Sequence, residues 1–270
     1  MAIKVSEVID MLLSLAPEEY EYKEDYDNIG LILGDRNAPV TRAVCCLDVT
    51  EAVIDEAISL GAQLIISHHP MIFYPPLKRI TADDVLGRKI LKAARYGISV
   101  YAAHTNLDFA PDGINDFVAQ KLGLRNIKPL ITYNDGKAGF GRVGDLSGAV
   151  YCSVLKGEVE TVLGDSYVRM VGEPYVQVRR VAVINGGGGG DTKYVDMAIK
   201  AGADCFITAD VKHHVAMYAF ENGVTLIEPQ HYTMEQCYIA RLVQNLRIEA
   251  KARKAEIDIV QSKNEHNPRF

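Results

Sequence analysis

The sequence is short of several things, and each shortage closes off a class of protein. Cysteine is sparse and odd in number, five residues that include the neighbours Cys45 and Cys46. That does not make a disulfide framework, and the thiols read as small core residues in a reducing compartment. Positive charge is not in excess. A formal net charge of −6 argues against a nucleic-acid-binding surface, which needs a basic face to offset phosphates, but it leaves room for a small phosphorylated ligand held by local groups. No apolar run approaches a membrane span, and Met1-Ala2-Ile3-Lys4-Val5-Ser6 has no apolar secretion signal. The expected location is the cytoplasm, with no membrane partner.

Histidine, by contrast, is concentrated. Leu64-Ile65-Ile66-Ser67-His68-His69-Pro70 is an apolar, β-branched run that stops at two adjacent imidazoles and a proline. It reads as a buried strand that delivers both histidines into the loop at its C-terminal end, where open α/β sheets build their sites. Three later stretches offer partners: Ala103-His104-Thr105-Asn106-Leu107-Asp108, Asp210-Val211-Lys212-His213-His214, and Gln230-His231-Tyr232-Thr233-Met234-Glu235. Six of the seven histidines lie in these four places, and His266 in the polar tail is the seventh.

Around these stretches the chain alternates between strand and helix patterns. A helix is expected from Glu7 to Leu15, then an acidic, tyrosine-rich surface segment from Glu18 to Asp27. A turn at Asp27-Asn28 leads into a strand. A strand over 42–49 precedes a helix over 51–60 that Thr50 caps and Gly61 stops. After the histidine strand, Tyr74-Pro75-Pro76 forces an extended loop. A helix over 84–96, a strand over 98–103 and a helix over 115–122 follow. Short strands and turns occupy 127–151. A strand over 178–184 runs into Asn185 and five glycines, Gly186 to Gly190, and a helix opens at Asp191-Thr192. A helix over 215–222, a strand over 224–228 and a helix over 232–246 complete the pattern, with 257–260 as a candidate edge strand.

This order predicts an α/β fold of two lobes with mixed or mostly parallel sheets. The N-terminal lobe is placed at 1–127 and the C-terminal lobe at 128–270, with the last helix a candidate to pack back on the first. The stretches 57–67 and 198–208 echo each other as helix, glycine stop and strand. Duplication and the generic recurrence of such units both explain that echo.

Adjacent side chains point in different directions, so His68 and His69 suit two ions, or one ion and a substrate. His104 with Asp108, and His231 with Glu235, share the i, i+4 spacing of one helical face. Nitrogen and carboxylate donors without cysteine suit zinc, iron, manganese or nickel, and fit neither a calcium cage nor the usual closed structural zinc site. A dinuclear site with carboxylates able to bridge is the candidate. Competing structural readings are turn chemistry for Asp27-Asn28, and a hydrogen-bonding or supporting role for His213 and His214. The glycine run reads equally as a phosphate cradle or a close-packing turn.

The segments Asp27-Asn28-Ile29-Gly30-Leu31, Ser67-His68-His69-Pro70-Met71-Ile72-Phe73, Ala103-His104-Thr105-Asn106-Leu107-Asp108 and His231-Tyr232-Thr233-Met234-Glu235 together resemble the signature blocks of one family. It is the family named for the yeast Ngg-interacting factor three, also known as GTP cyclohydrolase I type 2 homologs. Two departures stand out: Tyr26 where the first block usually has tryptophan, and Gln230 where the last usually has glycine. The resemblance implies two lobes with a dinuclear metal centre in the cleft between them, and a toroidal homohexamer. It implies His68, His69, Asp108, His231 and Glu235 as ligands to two divalent transition-metal ions, with His104 beside them. The implied activity is that of a metal-dependent hydrolase acting on a small molecule such as the guanine ring of GTP, with Glu235 and His104 as proton carriers. The rival readings are a phosphoesterase or amidohydrolase, and a non-enzymatic metal-binding scaffold that acts through protein partners.

Overall fold

β-branched runs punctuated by glycine, and helices with one apolar stripe, become the layers of an α/β protein. The structure, a computed structural model, describes residues 2–20, 27–74, 76–133 and 136–269. Tyr26, with the rest of the acidic segment at 21–26, and Pro75 of the expected extended loop lie outside the described residues.

In chain order the first elements are β1 (Ile3–Lys4), α1 (Val5–Leu15), β2 (Gly30–Leu33), β3 (Pro39–Val40), β4 (Arg42–Cys46), α2 (Glu51–Ser59), β5 (Leu64–Ser67), α3 (Val85–Arg95) and β6 (Ser99–Ala102). Next come α4 (Thr105–Phe109), α5 (Ile114–Lys121), β7 (Arg125–Thr132), β8 (Gly139–Tyr151), α6 (Cys152–Leu163), β9 (Arg169–Val171) and β10 (Gln177–Val183). The last are α7 (Thr192–Lys200), β11 (Cys205–Ile207), α8 (His213–Glu221), β12 (Thr225–Glu228), α9 (His231–Ala252) and β13 (Asp258–Gln261). Two compact units result, one of Met1–Leu107 with Ile239–Phe270, the other of Asp108–Tyr238.

The first unit holds a five-stranded sheet in the order β13-β4-β5-β6-β2. Strands β13, β4, β5 and β6 are parallel, and β2 runs antiparallel to β6. Every residue of β5 and of β6 is buried, as expected of central strands covered on both faces. Helices α2 and α3 place Val53, Ile54, Ala57, Ile90 and Ala93 against Val44, Ile65 and Val100 of the sheet. Thr50 caps α2 by accepting the Val53 amide at 3.1 Å, a contact that contributes about 1 kcal/mol.

The second unit holds a six-stranded mixed sheet in the order β7-β8-β10-β11-β12-β9. Its centre, β10, β11 and β12, is parallel, and the antiparallel strands flank it. The glycine-rich stretch at 127–151 is the β7–β8 pair, as its alternating texture predicts. Helix α6 and strand β9 were not anticipated, although Leu155, Val159 and Leu163 bury one helical face at spacings of four. Helix α9 runs beyond the expected end near Leu246 to Ala252, because buried Met234, Tyr238, Leu242, Leu246 and Ala250 continue one apolar face through it.

Candidate metal centre

Parallel neighbours end at the same edge of a sheet, and that edge assembles the histidines of the first unit. The β5 ladder continues one step past the strand: the His68 amide donates to Cys46 O at 3.1 Å and the His69 amide to Leu47 O at 2.9 Å. Next door, β6 ends at Ala102, the Ala103 amide donates to Ser67 O at 2.8 Å, and His104 follows. Ring centroids lie 5.0 Å apart for His68–His69, 5.2 Å for His68–His104 and 5.7 Å for His69–His104. Each ring offers a nitrogen, and the three nitrogens lie within 4.8 Å of one another. The adjacent pair does not diverge as strand alternation suggested. Residues 68 and 69 lie in a bend beyond the strand, where alternation no longer holds.

All three imidazoles are held by the same nitrogen. His68 Nδ1 sits 2.9 Å from Ala103 O, His69 Nδ1 2.9 Å from Asp48 Oδ1, and His104 Nδ1 2.6 Å from Asp27 Oδ1. A carbonyl or carboxylate at Nδ1 fixes the proton there and leaves Nε2 with the lone pair, which is how metal-ligating histidines are oriented. Asp48 lies just past β4. Asp27 reaches the same edge because β2 is antiparallel, so the residues before it lie beside the ends of the others. Asp27 also accepts the Thr105 hydroxyl, and Asn28 Nδ2 donates to Ile72 O at 2.6 Å, tying this segment to the loop after His69. Burial acts to raise the Asp27 pKa, but the bonds from His104, Thr105 and the Asn28 amide outweigh it and hold the carboxyl below its ordinary value. Residues 27–29 form no turn but extend directly into β2, and the Asp27 side chain orients His104.

A cavity of about 340 Å³ opens beside His69, with Val49, Pro70, Met71, Lys89 and Glu265 in its walls. Glu265 accepts the Leu47 and Asp48 amides at 3.1 and 2.5 Å, and Lys89 donates to Val49 O at 2.8 Å. Burial draws the Lys89 ammonium below its ordinary pKa and pushes the Glu265 carboxyl above its own.

The second unit carries the other predicted residues. Asp108 in α4 and Glu235 in the first turns of α9 are both buried, at 5% and 3% exposure. Asn185, just past β10, donates through Nδ2 to Asp108 Oδ1 at 3.0 Å and to Glu235 Oε1 at 3.1 Å. His231 Nε2 lies 2.9 Å from Glu235 Oε2, and its Nδ1 lies 2.7 Å from Asp210 Oδ2. Burial opposes protonation of His231, yet Glu235 and Asp210 together push its pKa up to about 11. His213 and His214 are exposed at the start of α8, and it is Asp210 from that stretch that meets His231. Gln230, the departure from glycine, donates its amide to Asp165 Oδ2 at 2.6 Å and its side chain to Asp165 Oδ1 at 3.0 Å.

The His68–His69–His104 cluster could hold a metal ion: its three imidazoles, each engaged at Nδ1, are nitrogen donors with no thiolate among them. The amide joining Asp108 and Glu235 is neutral, so it orients the two buried carboxyl groups without adding a charge, and His231 lies against the other Glu235 oxygen. Asn185, Asp48 and Asp210 were missed as functional positions. A common signal marks them: each is a polar residue in the first few positions after a buried parallel strand.

The fold and the His68–His69–His104 cluster thus define a mixed α/β protein with a group of donors able to hold a metal ion. Residues 3–268 match the family described as Duf34/NIF3 (NGG1p interacting factor 3), and the chain belongs to that family. A Clostridium acetobutylicum protein named GTP cyclohydrolase 1 type 2 homolog is 36% identical over 99% of this chain and 98% of its own length. A protein of the same name from Clostridium perfringens is 32% identical over 98% of each. Among solved structures, a Bacillus cereus protein related to NIF3 superposes with a TM-score of 0.91 at 26% identity, covering 100% of this chain and 99% of that one. A Staphylococcus aureus hypothetical protein gives 0.90 at 28% identity over the whole of both chains.

Proposed function

We propose that this chain is a dinuclear metal-binding protein and a metal-dependent hydrolase of small molecules. His68, His69, Asp108, His231 and Glu235 are its ligands, and His104 is a further donor beside His68 and His69. The observation that carries this reading is the shared clasp on His68, His69 and His104, each held at Nδ1 by an acceptor. Three histidines brought together for packing alone have no need of one tautomer. The relatives' name, GTP cyclohydrolase 1 type 2 homolog, supports a nucleotide as the first substrate to test.

His68, His69, Asp108, His231 and Glu235 would hold the ions, and the ions would supply Lewis acidity for activating water and polarising an electrophile. The chain's own residues do the rest. Asp27 and Asp48 keep two imidazoles in one tautomer, and the cavity beside His69, lined by Asp48, Met71, Lys89 and Glu265, has room for a small molecule. Glu235 and His104 carry protons to and from the reacting group where they are not committed as ligands. Assembly as a homohexamer belongs to the same reading.

Metal content per chain, measured by plasma mass spectrometry on protein purified without chelator or histidine tag, tests it. About two transition-metal ions per chain are expected for a two-metal hydrolytic site, with less in His69→Ala and Glu235→Ala proteins that keep their circular dichroism. Unchanged content in both variants would overturn the ligand assignment. Metal-loaded protein that leaves GTP and a panel of phosphoesters and amides untouched would overturn the hydrolase.

A further inference from the structure

We propose that Asn185 is a positioning residue, one that sets the orientation of the two carboxylates Asp108 and Glu235 for metal binding. The proposal rests on the reading of those carboxylates as ligands. Asn185 is 2% exposed. Its Nδ2 has two hydrogens, and the two acceptors at 3.0 and 3.1 Å are the two carboxylates.

The amide can face only one way. Reversed, it would set Oδ1 against two carboxylate oxygens, a repulsion at both contacts. In the orientation found, Oδ1 is buried with no hydrogen-bond partner among the described residues. Leaving that oxygen unsatisfied is a cost, and the double contact on the other side is what offsets it.

The backbone around Asn185 is held as firmly as its side chain. Its amide donates to Asn115 Oδ1 at 2.8 Å, and Asn115 Nδ2 in turn donates to Asp108 O at 3.1 Å. Asn115 therefore sets the spacing of the two main chains, and Asn185 sets the side chains. On the other side Gly186 has φ +64°, and a Cβ there would clash with Glu235 Oε1. The chain just past Asn185 therefore runs close against the Glu235 carboxylate.

Asparagine also suits the task chemically. A lysine or arginine would reach both carboxylates but would offset the charge that attracts a cation. A serine has one hydrogen and would hold one carboxylate. The neutral amide holds both through Asp108 Oδ1 and Glu235 Oε1 without adding a charge, while Glu235 Oε2 faces His231 Nε2 at 2.9 Å, the histidine read as a ligand beside it.

Cobalt(II) titration of the full chain stripped of metal tests this, with affinity from chelator competition and the visible absorption bands as a report on the ligand field. Asn185→Ala is expected to bind cobalt roughly 10–100-fold more weakly, as outer-sphere losses do, and with shifted bands. Asn185→Ser, with one donor, should fall between it and the parent, and it serves also if the alanine variant does not fold. Glu235→Ala is the reference. If Glu235→Ala binds cobalt as the parent does, the ligand reading fails. If Glu235→Ala loses cobalt while folded Asn185→Ala or Asn185→Ser keeps the parent's affinity and spectrum, the positioning role is overturned.

Discussion

His104 Nδ1 meets Asp27 Oδ1 at 2.6 Å across 77 residues of sequence, and the Asp27 side chain is 6% exposed. The pair fixes one tautomer of His104, the one that leaves Nε2 to accept. Asp27→Asn keeps the shape but removes the charge and offers an amide in place of one carboxylate oxygen. Metal affinity measured by chelator competition is expected to fall about 10–100-fold, and the metal-free chain also loses some thermal stability at neutral pH, since a carboxyl held below its ordinary pKa stabilises the fold there. Unaltered affinity would mean that Asp27 serves the fold alone.

The Arg142 guanidinium is 1% exposed and fully engaged. It pairs twice with Asp116, at 2.6 and 2.7 Å, and donates to the carbonyls of Ala110, Gly139 and Gly141. Asp116→Ala leaves that cation buried without its counter-charge, and a loss of about 3–5 kcal/mol in denaturant unfolding is expected. Arg142→Met, which removes the cation and keeps the bulk, should cost less. A larger loss for Arg142→Met than for Asp116→Ala would contradict the assignment of the penalty to the stranded charge.

Asp165 receives the amides of Tyr167 and Gln230, the Gln230 side chain and the Thr233 hydroxyl. Burial raises its pKa, but these bonds prevail and depress it below the ordinary value. The folded chain therefore binds fewer protons here than the unfolded one. The stability that follows is fully present above the unfolded aspartate value of about 3.9 and is lost as pH falls through the lower folded value. Between pH 6 and pH 2, the parent should lose unfolding free energy more steeply than Asp165→Asn, so the gap between them narrows as pH falls. A constant gap would show that the charge of Asp165 plays no part.

Gly186 combines φ +64° with the close approach to Glu235 Oε1. Alanine there is strained in backbone and in contact, and a loss of about 1–3 kcal/mol in stability is expected, together with weaker metal binding as Glu235 shifts. Calorimetry and chelator competition read the two effects separately. A variant as stable as the parent would indicate that the glycine loop yields.

The parallel core of each unit was legible where a short apolar, β-branched run stops at a polar or glycine-rich loop. Ala43 to Cys46, Leu64 to Ile66 before His68 and His69, and Val181 to Ile184 before Asn185 and the glycines stand out in this way. Helix α6 was overlooked because Gly157 breaks its pattern, although Cys152, Leu155, Val159 and Leu163 form its buried face. The antiparallel placement of β2 had no local signal, since direction is set by the partner and not by the strand.

The histidines of the site were equally legible, since clustered imidazoles at strand ends have few other uses. Their supports were not. Asp48, Asp27 and Asp210 are ordinary aspartates in sequence, and only the sheet edge brings each within 3 Å of an imidazole. Asn185 carried no reading of its own between a strand and five glycines. Its role depends on Asp108 and Glu235, 77 and 50 residues away.

Strand β13 joins β4 at the edge of the first sheet, with Arg42 Nε bonded to Asp258 Oδ2 across 216 residues. On a ribosome, β4 emerges long before its neighbour is made. Its outer edge stays open for most of translation, and an open edge is a template for mispairing. The second unit is one uninterrupted segment, Asp108–Tyr238, and can close while the first is still waiting. The half that bears His68, His69 and His104 is therefore the last to be finished, and those imidazoles reach their final framework only at the end of biogenesis.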